Sequence, residues 1–529
     1  MNQRESRQQR RQNNRRLPKP HVVLWTLALM LSLLLVSGGG VFVVQSVTSH
    51  SLRATCANAK HAPNPVAAEN MCPGSAAWQW SGDASGPTDI EGFVAPASVT
   101  NGDRLHLFVT TTAPTYTFEI FRLGWYSGLG GRLMYTSPDE RGIRQPAPTI
   151  DPQTHMVSCE TWKVGPTLTI PENWVSGIYI VKFFSSDGHS RYTPLVVRDE
   201  TSEAPIVYQA SFLTYQAYNQ WGGYSLYLGI NPATKTSDAA HRAYSVSFDR
   251  PYLRSEGLGD LPTSELNMIR WLERESYDVT YATDMDLDAS PTLLHGRRLL
   301  IVGGHDEYWS TAMRDHATTA LDAGVSLAFF SANNMYWHIR LQPSPLGDNR
   351  EVICYKVAQK DPLYSEQPLE TTTRWRDPPL SNPESNVLGQ MYQGIAEEDT
   401  VAPLVLTPGA QPFFAGTNLA LGISLPGLVG GEFDQVTPSE LEARHIIVLA
   451  NSRLICRPDL KCSPNGTALA NATVYRMPNG AGVFDAGTFY WSWGLDNERF
   501  DQRVPAHTAS SPGFQRFTAN ILAYLLARK

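Results

Sequence analysis

The sequence predicts a mixed β and α/β protein in which an N-terminal transmembrane helix, an antiparallel β-sandwich and a mainly parallel α/β sheet follow one another. Three observations predict this order. An uncharged apolar run covers Val22–Val44, strand-like alternation fills residues 78–197, and strand and helix signals alternate from residue 200 onward. At 529 residues the chain is too long for one ordinary domain, since domains average roughly 100–200 residues.

The first 20 residues form a strongly basic head. Seven Lys or Arg side chains oppose Glu5 there, which gives +6; because the whole chain carries −7, the remainder carries −13. An acidic body argues against a nucleic-acid partner. The basic head instead fits the cytoplasmic flank of a membrane span or a contact with anionic lipid.

The apolar run Val22–Val44 is expected to be an uncleaved signal anchor. About 20 apolar residues span a bilayer, whereas the apolar core of a cleaved signal peptide has roughly 7–15 residues. We therefore predict a single-pass membrane protein with a cytoplasmic N-terminus, membrane contact through residues 22–44, and the bulk of the chain extracytoplasmic. The predicted segments are a tail over 1–20, an anchor over 21–46 and a spacer over 47–77.

Six cysteines agree with an oxidising compartment. Two pairs are close in sequence, Cys56 with Cys72 and Cys456 with Cys462. In an extracytoplasmic setting, such pairs are expected to close small disulfide loops. Cys159 and Cys354 either form a third bridge or remain buried free thiols, and the sequence leaves both alternatives open.

Residues 78–199 are predicted to form an immunoglobulin-like β-sandwich. Leu105–Val109, Tyr116–Phe121 and Gly177–Phe183 alternate as strands and are separated by Gly, Pro and Asp turns. The aromatic and glycine-rich segment Arg122–Gly131 is expected to be a structured loop that lies against another surface.

Residues 200–529 are predicted to form the α/β domain. The strand Leu299–Val302, the helix Thr311–Ala323 and the strand Val325–Phe330 follow one another, which is typical of a parallel sheet. The carboxyl ends of parallel neighbours meet at one edge, and binding and catalytic sites are commonly built there.

Polar and phenolic side chains follow both of these strands. The candidate clusters are His305, Asp306, Glu307 and Tyr308; Asn333, Asn334, Tyr336 and His338; and Gly430, Gly431 and Glu432. Phenolates and carboxylates are hard oxygen donors, which suit an ion such as Fe(III) better than zinc. Such an ion can polarise a carbonyl and acidify water. Packing of a loop by aromatic residues is the alternative explanation for each cluster taken alone.

Other chemistries have weaker support in the sequence. Ser331 lacks the surroundings of a nucleophile elbow, and the turn that follows residue 330 contains no cysteine. No P-loop, GxGxxG or HExxH pattern lies in a convincing context.

Six stretches of the chain resemble the N,N-dimethylformamidase large (beta) subunit family, chiefly its C-terminal catalytic region. They are Ile90–Gly92, Arg122–Tyr126, Thr214–Asn219, Gly304–Trp309, Met335–Trp337 and Gly431–Asp434. The resemblance covers roughly residue 90 to the end of the chain. It implies a β-sandwich joined to a flavodoxin-like sheet similar to that of glutamine amidotransferases.

The resemblance also implies a site. In that family, a mononuclear iron held by two tyrosines and one glutamate hydrolyses an amide. By motif, the metal ligands in this chain are expected to be Tyr308, Tyr336 and Glu432. The expected catalytic or substrate-orienting residues are His305, Glu307 and Asn333. The family's enzyme is longer and works with a small partner subunit, so a small subunit or a homo-oligomer is considered for this chain.

Taken together, the sequence predicts a membrane-anchored, iron-dependent hydrolase that cleaves the C–N bond of a small amide-like molecule. Two alternatives stay open. One is a non-catalytic extracytoplasmic protein that binds carbohydrate or a protein partner through the sandwich and the 122–131 loop. The other is a hydrolase that uses the same scaffold on a sugar-like or peptide substrate.

Overall fold

Residues 61–79, 89–397, 400–457, 459, 462, 465–498 and 510–527 are described by a computed structural model. Residues from Ala59 onward belong to one compact unit. The boundaries predicted at residues 78, 199 and 200 therefore stay predictions.

The structure corrects the predicted fold class and localisation. The expected anchor at 22–44 lies outside the described residues, and no helix within them is both long and apolar enough to cross a bilayer. The longest described helix, Pro512–Leu526, has 15 residues, whereas a membrane span needs about 20. The predicted transmembrane helix and single-pass localisation are therefore not supported by the part of the chain that the structure describes. A coarser description, mostly sheets with some helices, replaces the immunoglobulin-like and flavodoxin-like assignments.

Two mainly antiparallel sheets come first along the chain and share a core. The first has the strand order Ile90–Ala95, Arg104–Thr111, Thr167–Thr169. The second has the order Ser98–Val99, Ser190–Val197, Gly177–Ser185, Thr115–Leu123, Gly131–Thr136, and Glu140–Arg141 pairs with Thr115–Leu123 outside this order. Alternating residues of both sheets, such as Leu107 and Val181, are fully buried in one apolar cluster, because successive side chains of a strand point to opposite faces.

A seven-stranded sheet forms the centre of the second half. Its strand order is Val279–Thr283, Ile206–Ala210, Leu299–Val302, Ser326–Phe329, Gly482–Asp485, Thr467–Arg476, Ile447–Ile455. The first five strands are parallel and the last two are antiparallel. The predicted pairing of Leu299–Val302 with the strand expected at Val325–Phe330 is confirmed, and the second strand is Ser326–Phe329 in the structure. The pairing brings their polar continuations to the same edge.

Smaller sheets surround this centre. One has the order Ser245–Ser247, Gly347–Ile353, Trp337–Ser344, Tyr308–Ser310, and two-stranded pairs join Thr149–Ile150 to Val157–Ser158, Gly229–Ile230 to Ser237–Asp238, Met391–Ile395 to Glu432–Gln435, and Ala402–Val405 to Ser424–Val429. The described α-helices are Pro65–Asn70, Phe212–Tyr218, Leu261–Ser264, Leu266–Arg274, Asp284–Ala289, Thr311–Asp322, Ser385–Leu388, Pro438–Arg444 and Pro512–Leu526. Short 3-10 turns occur at Tyr126–Gly128, Trp221–Gly223, Arg254–Gly257, Ala358–Lys360, Pro368–Glu370, Pro408–Phe413 and Trp491–Gly494.

The loop Arg122–Gly131 packs against a helix of the second half. Arg122 and Glu273 form a fully buried bidentate ion pair with N–O distances of 2.8 and 2.9 Å. The Trp125 ring lies beneath the Arg270 guanidinium, 5.1 Å from its centroid. This loop is therefore engaged within the protein, as its glycine and aromatic content predicts.

The cysteines follow the predictions where they can be followed. Cys456 and Cys462 form a disulfide. Cys72 is also disulfide-bonded, while its expected partner Cys56 lies outside the described residues. Cys159 and Cys354 are buried free thiols, so the second of the two alternatives holds for them.

Candidate functional site

Glu307 is the centre of a cluster of phenol oxygens at the carboxyl edge of the parallel sheet. It follows the strand Leu299–Val302 through a short loop, and only 3 % of its surface is exposed. Tyr218 donates a hydrogen bond of 2.9 Å to its Oε2, and Tyr227 donates bonds of 2.7 and 2.6 Å to Oε1 and Oε2. Trp337 Nε1 donates a further bond of 2.7 Å to Oε1. Two phenol hydroxyls and one indole N–H therefore converge on one carboxylate.

The fold fixes these side chains from several directions. Tyr218 ends the helix Phe212–Tyr218, which directly follows a strand of the central sheet, and its ring stacks on that of Tyr227 at 4.3 Å. Thr214 on the same helix accepts a hydrogen bond of 3.0 Å from the Glu307 backbone. The Glu307 carbonyl in turn accepts from the backbone N–H of Trp337 at 2.8 Å. The polar segments that follow the two strands are thus joined by a direct backbone hydrogen bond.

A second carboxylate, Glu432, lies beside this cluster. Asn333 Nδ2 donates a hydrogen bond of 2.5 Å to Glu432 Oε2, and the Asn333 backbone N–H donates one of 2.8 Å to Asp434. Nε2 of His305 lies 3.5 Å from Glu432 Oε2 and 3.8 Å from Glu307 Oε2. The imidazole is thus placed between the two carboxylates.

Burial changes the protonation of these groups. It raises the pKa of Tyr218 and Tyr227 well above the ordinary value, and the Glu307 charge adds to the rise. Burial, followed by the Glu307 charge, also raises the pKa of Glu432 well above that of an exposed carboxyl. It lowers the pKa of the His305 imidazole. In the absence of a cation, the phenols are therefore neutral hydrogen-bond donors.

The expected ligands Tyr308 and Tyr336 lie close to this cluster. Within the described residues, neither forms a hydrogen bond with Glu432. Tyr308 is fully buried, and burial followed by the Glu307 charge raises its pKa well above the ordinary value. The Tyr336 hydroxyl faces the Arg374 guanidinium at 3.5 Å. The assignment of Tyr308, Tyr336 and Glu432 as metal ligands stays a prediction.

The structure brings together His305, Glu307 and Asn333, and it adds three residues that the sequence reasoning did not single out. These are Tyr218, Tyr227 and Lys356. Tyr218 lies inside one of the stretches that carry the family resemblance, but the segment around Tyr227 has no distinctive pattern.

Lys356 is the least expected member of the site. Its ammonium lies 3.2 Å from the Tyr227 ring centroid and 4.6 Å from that of Trp337. The ammonium nitrogen is buried and has no hydrogen-bond partner among the described residues. Burial lowers its pKa to about 8, against the opposing effect of Glu307. An isolated lysine after a strand gives no signal of this position in sequence.

Two cavities reach the cluster. One, of about 330 Å³, is lined by Tyr218, Arg254, His305, Glu432, Phe489 and Trp493, among others. The other, of about 470 Å³, is lined by Tyr336, Trp337, Lys356 and Arg374, among others. Tyr336 and Glu432 therefore line different cavities.

Comparison with known families matches most of the chain to one of them. Residues 117–504, more than half of the chain, match the family described as N,N-dimethylformamidase beta subunit-like, C-terminal. The chain belongs to this family, and the resemblance inferred from the six motifs is confirmed.

Two curated relatives carry the same name. The N,N-dimethylformamidase beta subunit of an Alcaligenes species is 27% identical over 218 residues, which are 34% of this chain and 28% of that protein. The N,N-dimethylformamidase beta subunit of Paracoccus aminophilus is 31% identical over 106 residues, 18% of this chain and 14% of that protein. The matched parts thus span less than a third of either relative.

Solved structures add no argument about the fold. A structure from a study of T cell activation by toxic shock syndrome toxin-1 is 17% identical and covers 20% of this chain and 97% of its own, with a TM-score of 0.13. A Paenibacillus cycloisomaltooligosaccharide glucanotransferase is 11% identical and covers 36% of this chain and 27% of its own, with a TM-score of 0.14.

Proposed function

We propose that this chain hydrolyses the C–N bond of a small amide at a mononuclear iron held by Tyr218, Tyr227 and Glu307. One observation carries the proposal: two phenol oxygens lie within 2.9 Å of the same buried carboxylate. Family membership supports the reaction class, and the choice of ligands comes from the geometry.

The donor set fits a hard trivalent cation. Two phenolates and one carboxylate carry three negative charges, and all three donors are oxygens. Because burial and Glu307 keep Tyr218 and Tyr227 protonated, a cation would take the place of the two phenolic protons that now bind Glu307. When bound, a ferric ion would act as a Lewis acid toward the amide carbonyl and toward water.

The neighbouring side chains supply proton transfer. Glu432 is placed to accept a proton from the attacking water and to return it to the leaving amine. Its raised pKa lets the carboxyl hold that proton at a pH where an exposed carboxyl would release it. Asn333 fixes the orientation of Glu432, and His305 lies between Glu432 and Glu307, where it can pass a proton or orient the amide.

Lys356 contributes a positive charge beside the two carboxylates. Its ammonium packs against the rings of Tyr227 and Trp337, and both of these side chains donate hydrogen bonds to Glu307. A positive charge there offsets the clustered carboxylates Glu307 and Glu432, both of which act on the Lys356 pKa. We assign Lys356 as a positioning residue that holds the anionic cluster together.

We further propose that the chain works with other subunits, since both curated relatives are named beta subunits. A small linear amide such as N,N-dimethylformamide is the first substrate to test. The iron-loaded protein is expected to release dimethylamine from N,N-dimethylformamide, and metal-free protein is not. The Glu432→Gln variant should bind iron normally but lose about 10²–10⁴-fold in kcat.

The exposed Glu442 offers a matched control. Glu442→Gln makes the same chemical change on the helix Pro438–Arg444, ten residues further along the chain, and should leave kcat unchanged. Full activity in the Glu432→Gln variant, or equal activity with and without iron, would contradict the proposed chemistry.

A further inference from the structure

The 330 Å³ cavity that opens onto Glu432 and His305 has an aromatic wall. Phe489, Tyr490 and Trp493 line it together with Tyr218. The Tyr490 and Trp493 rings stack at 3.8 Å with an interplanar angle of 11°, and the Phe489 ring lies 4.5 Å from that of His305. Flat apolar surface therefore lies beside the proposed proton-transfer residues.

Local backbone geometry holds this wall in place. A Cβ atom added at Gly430 would lie 2.3 Å from the Tyr490 ring, and one added at Gly431 would lie 2.6 Å from the Phe489 ring. The two glycines before Glu432 thus let the rings pack closely on the backbone, and Gly431, with φ +66°, also allows the turn there. Trp493 is fixed by a hydrogen bond of 2.9 Å from its Nε1 to the Thr263 carbonyl.

The lining of the cavity also contains an ion pair. Arg254 and Asp260 form an ion pair of 3.1 Å, and the Arg254 guanidinium lies 5.4 Å from the Tyr218 ring centroid. Because the Arg254 cation already has an acidic partner, it offers no unpaired positive charge to an anionic substrate. A neutral ligand with a flat apolar group matches this lining best.

The cavity is also large enough for a ligand that carries a flat apolar group. A volume of about 330 Å³ lies in the range of pockets that hold drug-sized ligands. One water takes about 30 Å³ of liquid volume, so an amide of five heavy atoms would leave most of the space to solvent.

From these observations we infer that the preferred substrate is a neutral aryl amide, whose ring lies against Phe489, Tyr490 and Trp493. The inference rests on the proposed amide hydrolysis and names its substrate class. The bond that breaks is the same C–N bond, and water supplies the hydroxyl to the acyl carbon and the proton to the amine. The ring can be carried on the acyl or on the amine side, and the test has an arm for each.

The test compares three amides on the iron-loaded full-length protein. They are N,N-dimethylformamide, N,N-dimethylbenzamide and N-benzyl-N-methylformamide, and the released amine is measured. At least one aryl amide is expected to exceed N,N-dimethylformamide about tenfold in kcat/KM. Tyr490→Ala should remove that advantage, since one aromatic contact contributes roughly 0.5–1.5 kcal/mol and 1.4 kcal/mol is tenfold. Tyr490→Phe should restore it.

An exposed tyrosine provides the control. Tyr364 lines neither cavity, so Tyr364→Ala should keep the ratio between the amides. A higher kcat/KM for N,N-dimethylformamide, or a ratio unchanged by Tyr490→Ala, overturns the inference while the hydrolase proposal stands.

If no amide is hydrolysed, the proposed function fails, and calorimetry then decides the inference separately. Binding of N,N-dimethylbenzamide that Tyr490→Ala weakens about tenfold supports an aryl site. Absence of binding, or binding that Tyr490→Ala does not change, overturns it.

Discussion

The hydroxyl of Tyr227 lies 2.6 Å from Oε2 of Glu307, although 80 residues separate the two along the chain. Tyr218 reaches the same oxygen from the end of its helix at 2.9 Å. Burying three oxygen-bearing groups around one point is costly unless their hydrogen bonds are satisfied or a cation replaces the protons. This cluster is therefore the best candidate for a cation-binding site among the described residues.

Asn333→Gly is expected to lower kcat without a large loss of stability. Asn333 has φ +54°, a left-handed conformation that glycine adopts without strain, so this change removes the amide that holds Glu432 and keeps the backbone. We expect kcat for amide hydrolysis to fall about tenfold or more and Tm to change little. Asn333→Ala is the informative companion, because it removes the same amide and also strains the backbone. It should lower both kcat and Tm, and unchanged kcat in both variants would refute the orienting role.

Lys356→Met is expected to stabilise the fold and weaken activity. Methionine keeps the apolar stem beside Tyr227 and Trp337 but removes a buried ammonium that has no hydrogen-bond partner among the described residues. Removing that desolvated charge should raise the free energy of unfolding by about 1 kcal/mol in urea denaturation. The exposed Lys360 is the control, since Lys360→Met should change neither stability nor kcat/KM. A destabilised Lys356→Met variant would contradict our description of this ammonium as desolvated and without a hydrogen-bond partner among the described residues.

Glu265→Gln is expected to flatten the dependence of stability on pH. Burial raises the pKa of Glu265 from 4.5 to about 7 in the folded protein, despite hydrogen bonds from Ser211 and Tyr215. Between those values the unfolded chain has released this proton and the folded chain has not, so stability falls as pH rises from about 4.5 to 7, by about 3 kcal/mol.

The measurement for Glu265 is Tm across this pH window. A glutamine can still accept the hydrogen bonds from Ser211 and Tyr215 but does not titrate. The fall in Tm between about pH 4.5 and 7 should therefore be smaller in the variant than in the unchanged protein. Glu275→Gln, on the exposed end of the same segment, should retain it. The same decline in Glu265→Gln as in the unchanged protein would show that Glu265 titrates normally.

The strand–helix–strand unit around residues 299–329 could be predicted because its signals are local. Ser310 caps the helix through Met313 N, and the apolar runs on either side become the strands Leu299–Val302 and Ser326–Phe329. Parallel pairing then places both polar continuations at one edge, which was the basis for expecting Glu307 and Asn333 to meet.

The phenol partners of Glu307 could not be predicted in the same way. Tyr215 and Tyr218 lie on one helical turn. Tyr215 nevertheless donates its hydrogen bond to the buried Glu265, whereas Tyr218 donates its hydrogen bond to Glu307. Spacing along the helix does not distinguish these roles, since both depend on which acid the tertiary fold brings alongside. The positions of Tyr227 and Lys356 depend on the same long-range packing.

The most direct test of the account is the visible spectrum and iron content of the iron-loaded protein and three variants, Tyr218→Phe, Tyr227→Phe and Tyr336→Phe. Tyrosinate bound to ferric iron gives a charge-transfer band, so the account predicts a coloured protein whose band and iron are lost in Tyr218→Phe and Tyr227→Phe and kept in Tyr336→Phe. A colourless parent protein, or a band that Tyr336→Phe abolishes and Tyr227→Phe leaves intact, would contradict the assignment of Tyr218, Tyr227 and Glu307 as the iron ligands.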